Sequence, residues 1–184
     1  MKRILCYGDS NTWGFTPATG KRYAPDVRWP GVMQSTLGAD YAVWEDPFAP
    51  CRNGLEGIGY GLLRAKPLDL VVLMLGTNDL LQGASPSEIA ARMDAFLSRL
   101  SPHCKNILLV APPPMKRGSW VSNGELAAAS IRLGEEYKAL AQKRKIPFAD
   151  TRGWNIDLTF DGVHFTEAGH HRFAEKLCER FHVF

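Results

Sequence analysis

Two stretches, DLVVLML at Asp69–Leu75 and NILLVA at Asn106–Ala111, are apolar at every interior position. A strand with one wet face would alternate polar and apolar residues. A short run with no polar face is what a strand buried on both sides looks like, and strands of that kind belong to parallel sheets covered by helices. Arg3–Tyr7, Tyr41–Trp44 and Ile146–Asp150 are weaker versions of the same signal. Five strands are therefore expected.

The segments between them carry the helical period. PSEIAARMDAFLSRL puts Ile89, Met93, Phe96, Leu97 and Leu100 on one face. Ser85 before Pro86 and Glu88 spells a capping box with proline at the first helical position. GELAAASIRLGEEYKALAQKRK turns Leu126, Leu133, Tyr137 and Leu140 inward, and its Lys- and Arg-rich end suits the helix dipole. TEAGHHRFAEKLCERF offers Thr166 as N-cap and Phe173, Leu177 and Phe181 as a buried stripe. Asp26–Leu37 and Glu56–Ala65 are shorter helical candidates. Strands alternating with helices predict an α/β three-layer αβα sandwich around a five-stranded parallel sheet, in a single domain spanning residues 1–184.

Composition closes several other routes. With 45% hydrophobic and 22% charged residues the chain is globular. A net charge of +3 from scattered basic residues argues against nucleic acid. No apolar run reaches the roughly 18 residues of a membrane span. The basic start and brief apolar stretch end in Gly8-Asp9-Ser10 with no small-residue cleavage site, so an uncleaved, cytoplasmic protein is expected. Cys6, Cys51, Cys104 and Cys178 form no C-x-x-C pair, which predicts reduced thiols and neither a disulfide framework nor a zinc site.

In such a sheet, ligands bind beyond the carboxyl ends of the strands. There the chain places GDSNTWG after the first strand, GTND (Gly76–Asp79) after the third and PPP (Pro112–Pro114) after the fourth; DGVHFT (Asp161–Thr166) precedes the last helix. Serine needs a base within hydrogen-bond reach to become a nucleophile, and histidine needs an acid to fix its tautomer. Asp161 and His164, with Gly162 between them for a tight turn, let one loop aim both side chains at one point. Asn78 and the backbone N–H of Ser10 are suitable donors to a developing oxyanion. The plainer alternatives are Ser10 as a helix cap and Asn78 in an ordinary Asx turn. Asp9 and Asp79 are expected to be structural, as caps or loop ties. On a helix His170 would share no face with His164, and no carboxylate cluster completes a site, so a metal centre is not expected.

GDSNT, GTND and DGVHF resemble the first, third and fifth sequence blocks of the SGNH (GDSL) hydrolases. RILCYGDSNTWGF, RYAPDVRWPGVM (Arg22–Met33), DPFAPCRNGLEG (Asp46–Gly57) and PLDLVVLMLGTND (Pro67–Asp79) are similar to its arylesterase/acyltransferase branch. The resemblance implies a flavodoxin-like fold, Ser10 as nucleophile, His164 as base, Asp161 as its orienting acid and Asn78 as oxyanion donor. It implies cleavage of small acyl esters with passage of the acyl group to water or alcohols, without a cofactor. Trp13 and Phe15, with Thr77, would wall a narrow pocket. Relatives of this branch often assemble, which leaves a homo-oligomer open; the partner expected is a small-molecule ester.

One block departs. Members of the superfamily carry a glycine or alanine after the second strand whose N–H serves the oxyanion, and DYAVWEDPFAPCRNG runs almost directly past that point. The backbone N–H of Asn53 or Gly54 is a candidate substitute. Two alternatives stand beside the esterase: a weakened hydrolase lacking that donor, and a phosphate- or nucleotide-binding module. The last lacks both G-x-G-x-x-G and a Gly-Lys-Ser/Thr ending.

Overall fold

The computed structural model describes residues 1–45, 67–104 and 106–181. The chain runs β1 (Lys2–Gly8), α1 (Ser10–Trp13), β2 (Phe15–Thr16), β3 (Lys21–Arg22), α2 (Trp29–Leu37), β4 (Tyr41–Glu45), β5 (Leu70–Met74), α3 (Thr77–Leu81), α4 (Pro86–Leu100), β6 (Ile107–Val110), α5 (Gly124–Arg144), β7 (Phe148–Ala149) and α6 (Glu167–Cys178). Five strands form one parallel sheet in the order β4-β1-β5-β6-β7. That is the α/β order in which the second strand lies outside the first and the rest follow on the other side. The small antiparallel pair β2–β3 stands apart from it.

Alternation along each strand sends successive side chains to opposite faces. Leu5, Tyr7, Val71, Leu73 and Leu109 meet Met93 and Phe96 of α4 and Leu133 and Tyr137 of α5. Ile4, Cys6, Val72, Met74, Leu108 and Val110 meet Trp29 and Met33 of α2 and Phe173 and Leu177 of α6. Both faces are covered, which is why these strands could be apolar throughout.

The helix signals act as the sequence predicts, with a few changes. Ser85 and Glu88 close the capping box in both directions. Thr166 caps α6 by accepting from the Gly169 N–H. α2 begins at Trp29, three residues later than expected, because Pro30 sits in its first turn and the preceding residues turn on the Ala24 carbonyl. The basic end of α5 does more than answer the dipole: Lys143 and Arg144 both pair with Asp94 of α4. Leu126 is only partly buried. Cys6, Cys104 and Cys178 are buried free thiols; Cys51 and the Glu56–Ala65 helix candidate lie outside the described residues. Among the described residues no helix is long and apolar enough to cross a membrane.

Candidate active site

β1 delivers the chain to Asp9 and Ser10 at one end of the sheet, and the neighbouring β5 delivers Thr77 and Asn78 to the same end, since Gly8 lies opposite Met74. Asp9, not Ser10, caps α1: its carboxylate accepts from the Asn11 N–H at 3.1 Å. The Ser10 hydroxyl is thus not spent on capping. As the first residue of α1, Ser10 also has an N–H with no intrahelical acceptor.

The hydroxyl lies 3.0 Å from Nε2 of His164, 154 residues away in the chain. On the far side of the ring, Nδ1 lies 2.6 Å from Oδ2 of Asp161. Gly162, at φ +80°, makes the turn between acid and base possible, and Leu158 bridges Phe165 to close the loop. The other carboxylate oxygen, Oδ1, accepts from the N–H groups of Val163 and His164 and from the Thr159 hydroxyl. Burial pushes the Asp161 carboxyl up, but the His164 N–H and ring, the Val163 N–H and the Thr159 hydroxyl outweigh it and hold it below the usual range. An ionised Asp161 so held fixes the tautomer that leaves Nε2 free to take a proton. For Asp9 the balance is reversed: burial dominates and its carboxyl is raised.

Two aromatic rings flank the imidazole. Phe15 lies with its centroid 4.9 Å from it and Trp120 stands edge-on at 5.1 Å. Trp120 is 51% exposed, whereas Trp29 and Trp154 are buried. Its loop is clamped to the acid loop by main-chain donors, Lys116 N to Gly162 O, Ser119 N to Phe160 O and Trp120 N to Asp161 O. Trp13, at the end of α1, is half-buried under the Arg22 guanidinium. Thr77 is nearly buried, its hydroxyl directed to Asp9. Asn78 is half-buried in the first turn of α3. Gly54 and Asn53 lie outside the described residues.

Other polar side chains are tied into the fold. Arg28 reaches Glu45 through Nε and Nη2, and Arg22 shares that carboxylate, tying the approach to α2 to the end of β4. Asp79 pairs with Arg92. His170 is fully buried, takes the Trp29 N–H on Nδ1 at 3.4 Å and packs against Tyr23 and Phe165. Burial, then the Arg28 charge, lowers its pKa to about 3, so it is a neutral core side chain. Among the described residues no three His, Cys, Asp or Glu side chains group as metal ligands. A surface groove of about 820 Å³ between α2 and α6 contains none of the residues around Ser10.

The model of the GDSL-like lipase/acylhydrolase family matches residues 6–172, most of the chain and the GDSNT, GTND and DGVHF blocks. The chain belongs to that family. Among solved structures, this GDSL-like protein is similar to the aryl esterase of M. smegmatis, at 34% identity and TM-score 0.85 over 100% of this chain and 99% of that one. It is also similar to a carbohydrate acetylesterase from Sinorhizobium meliloti, at 29% identity and TM-score 0.82, again over 100% and 99%. A carbohydrate acetylesterase family member from the same organism follows at 28% and 0.79, over 98% of each chain. No curated protein sequence matches it. Family and neighbours together make it a carboxylic ester hydrolase of this fold.

Sequence reasoning did not single out Asn11. Its side chain bridges to the acid–base loop, with Nδ2 donating to Val163 O at 3.1 Å and Oδ1 accepting from Phe165 N at 3.0 Å. Nothing local to GDSNT announces a contact across 150 residues.

Proposed function

We propose that this chain hydrolyses short-chain, acetyl-type esters through an acyl-enzyme on Ser10. The observation that carries the reading is the unbroken series Ser10 Oγ, His164 Nε2, His164 Nδ1, Asp161 Oδ2, at 3.0 Å and 2.6 Å. Ser10 attacks the ester carbonyl as its proton passes to His164 Nε2. The tetrahedral oxyanion rests on the Ser10 N–H and the Asn78 amide. His164 returns the proton to the departing alkoxide, and the acyl group stays on Ser10. Water, activated by the same Nε2, then resolves the acyl-enzyme; an alcohol in that position takes the acyl group instead. Phe15 and Trp120 wall the space beside the base and reduce water's access to it. Trp13, whose indole lies against Arg22, follows Ser10 on the same helical turn and is proposed to complete that wall.

A fluorophosphonate probe should label Ser10. Ser10→Ala should lower kcat on p-nitrophenyl acetate by at least about 10³-fold. Retained turnover in that variant ends the reading.

The short passage from β4 to Asp46 supports a second reading, an enzyme slowed by loss of one oxyanion donor. Such a loss costs about 10²–10³ in kcat. Grafting a glycine-containing loop after Trp44 should then raise kcat; no gain would favour the full-strength enzyme.

A further inference from the structure

The GDSL family name spells Gly-Asp-Ser-Leu, and this chain has asparagine in the fourth place, at Asn11. That side chain is nearly buried, at 4% exposure, and both ends of its amide are used. Nδ2 donates to the carbonyl of Val163, and Oδ1 accepts from the N–H of Phe165. Those two residues flank His164. Both groups face the same side chain, and a planar carboxamide, which offers a donor and an acceptor, satisfies the two together. The backbone N–H of Asn11 is held by Asp9, and the residue directly follows Ser10.

We propose that Asn11 is a positioning residue that fixes His164 against Ser10, joining the nucleophile turn to the base loop by a two-point amide clip. This rests on the proposed roles of Ser10 and His164. Leucine has the same number of side-chain heavy atoms but would leave the Val163 carbonyl and the Phe165 N–H buried without partners, and the base loop would be free to shift. An error of about 1 Å in such a geometry costs on the order of 10²-fold in rate.

The tests are two substitutions assayed on p-nitrophenyl acetate, with ellipticity and melting temperature as folding checks. Asn11→Leu should lower kcat about 10- to 100-fold, by the same reasoning, with little change in KM. A folded Asn11→Leu protein with the parental kcat overturns the clip. If Ser10→Ala is inactive in the same assay, that result leaves the esterase reading intact and sinks the clip alone. Asn11→Asp provides the readout that simple destabilisation would not move. A protonated carboxyl has one donor and one acceptor, like the amide, and keeps the clip. An ionised one has only acceptors and repels the Val163 carbonyl. The introduced carboxyl would be buried, with Asp9 on its own turn, Asp161 on the facing loop and the His164 ring beyond. Burial and the two carboxylates favour its neutral form. The Asn11→Asp rate should therefore fall on the alkaline side, where the parent does not. A pH profile of the parental shape overturns the proposal, even if Asn11→Leu fails to fold.

Discussion

At the residue scale, Asp161 is satisfied by four donors, two backbone N–H groups, a hydroxyl and the imidazole. Asp161→Asn keeps the shape but cannot stabilise the imidazolium or hold the same tautomer. We expect kcat to fall about 10⁴-fold with KM nearly unchanged. The same substitution makes a stability prediction. The Asp161 carboxyl is depressed in the folded protein relative to its ordinary value of 3.8, so the unfolded chain binds its proton first as pH falls. Its stabilising contribution is complete above that ordinary value and is lost as pH drops through the lower folded value. Urea unfolding at neutral pH and near pH 3 should show Asp161→Asn losing stability at neutrality and having a shallower acid slope. Asp94 and Asp150, also depressed by their Lys and Arg partners, preserve part of that slope. The proposed roles of Ser10, His164 and Asp161 can be read from the sequence because Ser10 follows a buried strand and the Gly162 turn marks one loop that carries both other side chains. Asn11 was not legible, because its partners are main-chain atoms, and main-chain partners leave no trace in composition or spacing.

At the scale of elements, the helices were the most readable part. Capping box, N-cap threonine and apolar stripes are local signals, and local signals survive folding. The two-residue strands β2 and β3 and the four-residue α1 are too short for any period to show. Nor does the sequence reveal that the Lys116–Val121 loop runs against the acid loop. This contact depends on Gly118: a Cβ there would lie 2.3 Å from the Asp161 carbonyl carbon and 2.4 Å from the Gly162 nitrogen, both main chain. Neither atom can swing away as a side chain could. Gly118→Ala should therefore push Trp120 and Asp161 apart, lowering kcat by about tenfold or more along with the melting temperature. Gly124→Ala, where a Cβ meets nothing within 4 Å, should stay within about 0.5 kcal/mol of the parent and keep its rate. Equal rates in the two variants would mean that the clamp does not govern the site.

At the scale of the whole molecule, the sheet separates two cores, and they do not stand in the same relation to the site. The core under α2 and α6 runs directly to the base loop: Phe173 packs its ring on Trp29, Trp154 and Phe165, and Phe165 adjoins His164. The opposite core includes Leu100, fully buried at the end of α4, which by then has returned to the edge of the sheet where the strands begin. Truncating either side chain leaves a cavity and should cost stability, about 3–5 kcal/mol for Phe173→Ala and about 2–5 kcal/mol for Leu100→Ala. Their effects on rate should differ. With Phe173 gone, Phe165 can sink toward the cavity and carry the His164 backbone with it, so kcat should drop about tenfold or more at a temperature where the variant is fully folded. Leu100→Ala has no such path and should keep kcat within about twofold of the parent under the same conditions. Urea melts supply the first comparison and initial rates on folded protein the second. A Phe173→Ala enzyme that is weakened in stability but unchanged in rate would show that the base loop is held by its own hydrogen bonds, with the aromatic core beneath it supplying stability alone.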